Sequence, residues 1–185
     1  MKNTKSIVLC SVVMMGLYGC KTAPTTEEAR NVLNAEVNEA ISVFKTRDSG
    51  IQHYFDTSYG YAVFPKVYKG GFWIGGAYGK GQVYKQKELT GYSSLTQATV
   101  GFSFGGEYFR EIIFFAEKPE YDAFCSGQYT FSAQVTGVAL TEGAAAKANY
   151  QNGVLVFVIA QKGLMIDISL GGQKFEYEPK SIADQ

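Results

Sequence analysis

Six glycines fall within the fifteen residues from Gly70 to Tyr84 (GGFWIGGAYGKGQVY), and no other stretch restricts the possible folds so much. As a strand, one face would carry Gly71, Trp73, Gly75, Ala77, Gly79 and Gly81. The other would carry Phe72, Ile74, Gly76, Tyr78, Lys80 and Tyr84. Glycine loses more backbone freedom on folding than other residues and offers no side chain to pack. Such density therefore implies bends, bulges or close approach of a second backbone. Gly70, Gly71, Gly75, Gly76, Gly79 and Gly81 are read as structural glycines. A phosphate-binding loop fails on spacing, because Ile74 stands where its first glycine belongs and Gly81, not Ser or Thr, follows Lys80. A dinucleotide fingerprint fails because no helical pattern follows.

The rest of the chain from Tyr59 onward is written mainly in period two. Thr96, Ala98, Val100, Phe102 and Phe104 alternate with Gln97, Thr99, Gly101 and Ser103, and Tyr129, Phe131, Ala133 and Val135 with Thr130, Ser132, Gln134 and Thr136. Each pattern suits a strand with one buried face. Glu111–Ala116 and Val154–Ala160 are apolar on both sides, as in central strands covered on both faces. Gln161-Lys162-Gly163 predicts a hairpin from the latter into a strand over Leu164–Leu170.

Helical spacing appears before the strands. Thr25 with Glu28 fits a capping box. Ala29, Leu33, Val37, Ile41 and Phe44 then form a stripe that ends at Arg47 and Asp48-Ser49-Gly50. Ile51–Thr57 predicts one or two further turns with Ile51, Tyr54 and Phe55 facing inward, and Pro119 starts a short helix over Lys118–Cys125. The expected architecture is α+β. About eight or nine strands form a strongly curved, mainly antiparallel sheet or partly closed barrel, with the N-terminal helix and one or two short helices packed on it.

The first twenty residues read as a secretory signal. Lys2 and Lys5 precede an apolar run from Ile7 to Tyr18 that closes in Leu17-Tyr18-Gly19-Cys20. A run of about a dozen apolar residues is shorter than the roughly 20 that span a bilayer. Leu-x-Gly-Cys resembles the lipobox of bacterial lipoproteins, which implies cleavage before Cys20 and a diacylglyceryl group on its sulfur. Residues 1–19 are then a signal peptide, 20–26 a lipidated tether and 27–185 one domain. Lys21 after the cysteine suggests the outer membrane, facing the periplasm, by analogy with the sorting rule of enteric bacteria.

Charge and reactive residues narrow the function. The 17 basic and 17 acidic residues become 15 and 17 once Lys2 and Lys5 are removed, a net charge near −2 without the field that attracts nucleic acid. One thiol, Cys125, remains beside Cys20, so no intramolecular disulfide is expected, and Cys125 reads as a small buried hydrophobe. The single histidine, His53, lies three residues before Asp56, a spacing typical of a surface pair. Glu107 and Glu111 on one strand would stand roughly 13 Å apart, too far to share a substrate bond. Neither a zinc ligand set nor a nucleophile elbow is present, and the expectation is a protein without catalysis, metal or cofactor.

Several motifs in order carry a resemblance. They are Gly60-Tyr61-Ala62-Val63-Phe64-Pro65, Lys69-Gly70-Gly71-Phe72 and Gly75-Gly76-Ala77-Tyr78-Gly79-Lys80-Gly81. Gly101-Phe102-Ser103-Phe104-Gly105-Gly106, Glu111-Ile112-Ile113-Phe114-Phe115 and Gly163-Leu164-Met165 follow, ending in Ser169-Leu170-Gly171-Gly172-Gln173-Lys174-Phe175. Together they resemble the SYLF domain from about Glu27 to Pro179. Eukaryotic members bind phosphoinositide membranes and some act with actin. The resemblance implies phospholipid binding here and, for a periplasmic protein, no actin partner.

One charge feature points the same way. Between Asp56 and Glu88 the chain has Lys66, Lys69, Lys80, Lys85 and Lys87 and no acid, interleaved with aromatic residues. With Phe72 and Trp73, these lysines are the candidate lipid-binding residues and Cys20 the lipid attachment site. The alternatives are that the lysines protect turns and edge strands, and that the protein is a structural lipoprotein docking an envelope partner.

Overall fold

The computed structural model describes residues 22–72, 74–100, 108–132, 135–160 and 170–181. Cys20, Trp73, Glu107, the Gly101–Gly106 motif and the expected Gln161–Gly163 turn with most of its following strand lie outside them. A helix α1 (Glu27–Arg47) and a short α2 (Gln52–Thr57) precede β1 (Gly60–Phe72), β2 (Ile74–Lys85), β3 (Glu88–Val100) and β4 (Tyr108–Phe115). Helix α3 (Lys118–Phe124) leads to β5 (Gln128–Thr130), β6 (Val138–Ala139), β7 (Val154–Ala160) and β8 (Lys174–Pro179). The strands form one sheet in the order β5-β8-β3-β2-β1-β4-β7-β6, antiparallel except for β6 beside β7. The α+β class and the strong curl of the sheet are as the sequence implies.

The sheet carries a core on each face. On one side, Leu33, Val37, Ala40 and Phe44 of α1 and Tyr54 and Phe55 of α2 pack on Tyr61, Val63, Ile112, Phe114 and Phe157. On the other, Phe64, Val67, Leu95, Ile113, Phe115 and Phe175 close over Tyr121 and Phe124 of α3. This is why β4 and β7 are apolar on alternate and intervening positions alike. Pro119 opens α3 in its first turn, where its missing N–H costs nothing.

Several details differ from the sequence reading. Thr26, not Thr25, caps α1 by accepting from the Ala29 N–H at 3.2 Å. The buried stripe runs through Ala40 in place of Ile41, and Ala29 is exposed. Gly70–Tyr84 is not one strand: Phe72 pairs with Ile74, so the chain reverses between them into the β1–β2 hairpin. On β3, Tyr92, Ser94 and Leu95 are buried, whereas Thr96 and Ala98 are exposed. The face expected to be buried is thus exposed at Thr96 and Ala98, while Gly91–Leu95 are buried without alternation. Of the expected strand around Tyr129–Thr136, Gln128–Thr130 pairs with β8, and Phe131 adds backbone bonds to Gly172 and Gln173.

Two local devices curl the sheet. Phe64 and Val67 both face the second core although three residues apart, which requires an extra residue in β1. The register shifts there against β2 and β4, and Pro65, which has no N–H for the ladder, sits in the bulge. On β2, a Cβ at Gly81 would lie 2.8 Å from the Phe64 ring and one at Gly79 would lie 2.8 Å from the Lys66 carbonyl. These glycines leave room for β1 side chains to lie across β2. Phe64 thereby reaches Phe175 of β8, ring centroids 5.6 Å apart, across two intervening strands.

Not every glycine of the segment is so constrained, since nothing lies within 4 Å of a Cβ at Gly70 and only the Gln97 carbonyl, at 3.5 Å, meets one at Gly76. Gly81→Ala and Gly79→Ala are expected to destabilise the protein by about 1–3 kcal/mol through overpacking, and Gly70→Ala by less than about 0.5 kcal/mol. Urea denaturation midpoints of the three variants check this. Equal midpoints would mean that the segment does not pack as described.

Candidate functional site

The sequence candidates separate once the strands pair. Lys66 and Lys80 are direct cross-strand partners on the α1 side of the sheet. Lys69 follows Tyr68 on the opposite side, its Nζ 5.2 Å from the centre of the Phe109 ring. Lys85 pairs with Gly60 at the far end of β1–β2 and lies 5.4 Å over the Tyr59 ring. Lys87 occupies the β2–β3 turn at a φ of 73°, next to Gln86 at 50°, and donates to Asp56 Oδ1 of α2 at 2.8 Å. That bond, with a second from Gln52, holds the Asp56 carboxyl below its ordinary range. Phe72 ends β1. The five lysines thus form no single patch.

What the fold does assemble is a row of tyrosines. Tyr108 of β4, Tyr68 of β1 and Tyr78 of β2 are in register on the α1 side of three adjacent strands. The rings of Tyr68 and Tyr108 are 5.6 Å apart, and Tyr68 and Tyr78 are 49% and 40% exposed. Cations stand beneath this row, each held by an acid of α1. Lys66 donates to Glu36 at 2.7 Å and lies 5.9 Å from the Tyr108 ring. Arg110 donates to Glu39 at 2.7 Å and lies 5.5 Å from the same ring. The bond to Glu36 raises the Lys66 pKa, so this lysine stays charged.

The row continues into an open, mainly apolar groove of about 700 Å³ between β2 and the start of α1. Ala23, Pro24, Val32, Leu33, Tyr78 and Lys80 line it, and Val32 is 58% exposed. The segment read as a tether is docked onto the sheet here. Thr22 and Pro24 are buried, Thr22 Oγ1 lies 3.3 Å from Ser94 Oγ, and the Ala23 N–H donates to Glu178 Oε2 at 2.9 Å. Sequence reasoning missed this docking because a polar Thr-Ala-Pro-Thr-Thr run carries no periodicity. The pairing of Tyr68 with Tyr78 was missed as well, because reading Gly70–Tyr84 as one strand leaves no hairpin to bring them together.

The remaining chemical candidates have structural surroundings. Half-buried Cys125 has its thiol pushed up to about 11 by burial, which leaves it protonated and a poor nucleophile near neutral pH. Asp56 bonds to Gln52 and Lys87, and His53 packs edge-on against Tyr54 at 5.4 Å. Among the described residues no three of His, Cys, Asp and Glu are grouped to hold a metal. None of the described helices is long and apolar enough to cross a membrane.

Glu111 is the unexpected group. It is fully buried and accepts from Gln173 Nε2 at 3.0 Å, while its other oxygen and the side-chain Oε1 of Gln173 find no partner among the described residues. Burial pushes its carboxyl up to about 8, against the opposing pull of Gln173 and the Lys69 charge. Folded Glu111 thus holds a proton that the unfolded chain releases near the ordinary carboxylate value. Its contribution to stability is greatest at low pH and falls as pH rises from roughly 4.5 to about 8. The Glu111→Gln variant is expected to lose this component and to gain stability over wild type most at pH 9. Denaturation midpoints at roughly pH 5, 7 and 9 check the sign, and an equal difference at each pH would contradict it.

No protein-family model matches the chain. It is similar to Beta cell expansion factor A of Aeromonas veronii, 29% identical over 154 residues that cover 82% of this chain and 58% of that protein. The chain therefore spans a little over half the length of this relative.

Proposed function

We propose that this protein is a non-catalytic envelope lipoprotein, anchored through an acylated Cys20, whose SYLF-type domain binds phospholipid. The relative in Aeromonas veronii is named for an effect and not for a ligand, so the chemistry rests on this chain's own residues. The exposed row of Tyr68 and Tyr78 beside Val32 and Lys80 carries the reading. Tyrosine joins an apolar ring to a polar tip and suits the boundary between headgroups and hydrocarbon. A lysine near an anionic surface adds on the order of 1 kcal/mol. Ion pairs hold Lys66 to Glu36 and Lys87 to Asp56, which lowers the electrostatic share and raises that of the aromatic row.

Sedimentation of residues 21–185 with phosphatidylglycerol-rich and neutral vesicles tests lipid binding. The wild type is expected to pellet, more with the anionic vesicles. Tyr68→Ser with Tyr78→Ser is expected to weaken binding about tenfold, or ~1.4 kcal/mol, and Lys85→Glu with Lys87→Glu much less. Failure of the wild type to pellet with any composition would favour docking to an envelope protein. For the anchor, intact mass is expected to show a diacylglyceryl adduct on Cys20 that the Cys20→Ala variant lacks, together with release of that variant from membranes. An unmodified wild-type Cys20 would remove the lipoprotein reading.

A further inference from the structure

We propose that the lipid on Cys20 seats the domain on the bilayer in one orientation, through the face that carries Val32, Tyr68, Tyr78 and Lys80. The proposal rests on the reading of Cys20 as acylated, and its occupant is the phospholipid bilayer that takes up the acyl chains.

A seven-residue flexible tether, as residues 20–26 suggest, would span up to roughly 24 Å and let the domain present any side. The structure removes most of that length. Thr22 is buried against Ser94 of β3, the Ala23 N–H is bonded to Glu178 of β8, and Arg30 of α1 donates to the Pro24 carbonyl at 3.4 Å. Only two peptide units separate Cys20 from Thr22, so its sulfur-bearing residue lies within about 7 Å of a fixed point on the sheet. The next two residues, Ala23 and Pro24, line the groove together with Val32 and Tyr78. Helix α3 packs on the opposite face of the sheet, in the second core. A layer packed on a sheet adds about 10 Å to the thickness. Acyl chains that start at the groove cannot enter a membrane lying against α3.

The surface at that point suits the contact. Val32, Tyr68 and Tyr78 are the large hydrophobic residues exposed among those described, and they lie around one groove and its adjoining tyrosine row. A surface of this kind, next to the point where an acyl chain must leave the protein, has a bilayer as its nearest apolar phase.

The full-length acylated protein, purified in a Cys125→Ala background, carries environment-sensitive dyes at Val32→Cys, Tyr68→Cys or Ala123→Cys in separate samples. Ala123 is an exposed position of α3. The proteins are reconstituted into phosphatidylethanolamine–phosphatidylglycerol vesicles that contain a lipid-borne quencher near the headgroups. Intact mass first establishes the acyl group. Quenching at positions 32 and 68 is expected to exceed that at position 123 at least threefold. Equal quenching at all three, or stronger quenching at position 123, in protein shown to be acylated overturns the orientation while leaving the lipid anchor in place. Protein without an acyl group overturns both.

Discussion

Phe64 passes over Gly81 to meet Phe175, and the curl of the sheet turns on that contact. A flat sheet would hold β1 and β8 about 14 Å apart, since each of three steps is about 4.8 Å. Their rings meet because β2 has no side chain at Gly81 to keep them apart and because the bulge at Pro65 turns Phe64 and Val67 to the same side. The same closure lets Gln173, just before β8, donate to Glu111 of β4, four steps away in the sheet. An apolar closure would be expected to pack without a carboxyl, and the neutral form of Glu111 makes its burial tolerable.

Curling in one direction leaves two unequal faces. The inner one is filled by aromatic rings and α3. The outer one is covered by α1 and α2 only as far as Lys66 and Arg110, whose charges are held by Glu36 and Glu39. Beyond those ion pairs the strands continue with none of the described helices above them, and Tyr68 and Tyr78 are exposed. The exposed aromatic row therefore follows from strand length exceeding helix cover, and the groove beside it from the docked Thr22–Pro24 segment.

Local signals were legible where local physics decides. Pro119 marks the start of α3, the doubly apolar runs mark β4 and β7, and the Ile51, Tyr54 and Phe55 spacing marks the turns after α1. Features set by distant partners were not. Ala40 replaces Ile41 in the buried stripe because the sheet fixes the rotation of α1. A window free of acids between Asp56 and Glu88 suggested a basic patch, yet Glu36 reaches Lys66 and Asp56 itself reaches Lys87. Alternation gave the faces of β2 correctly, but only the pairing of Phe72 with Ile74 shows that Gly70–Tyr84 spans a reversal. Of the candidate site, Lys80 stays at the groove, and Tyr68, Tyr78 and Val32 join it through tertiary structure.

Hydroxyl-radical footprinting reads directly, on the native side chains, the proposed cover of a phospholipid surface over the outer tyrosine row. Acylated protein on phosphatidylglycerol-containing vesicles is compared with the soluble domain, with Tyr129 at the inner face as internal reference. Tyr68 and Tyr78 are expected to lose most of their labelling on vesicles while Tyr129 keeps its own. Undiminished labelling of Tyr68 and Tyr78 in vesicle-bound protein would contradict that cover.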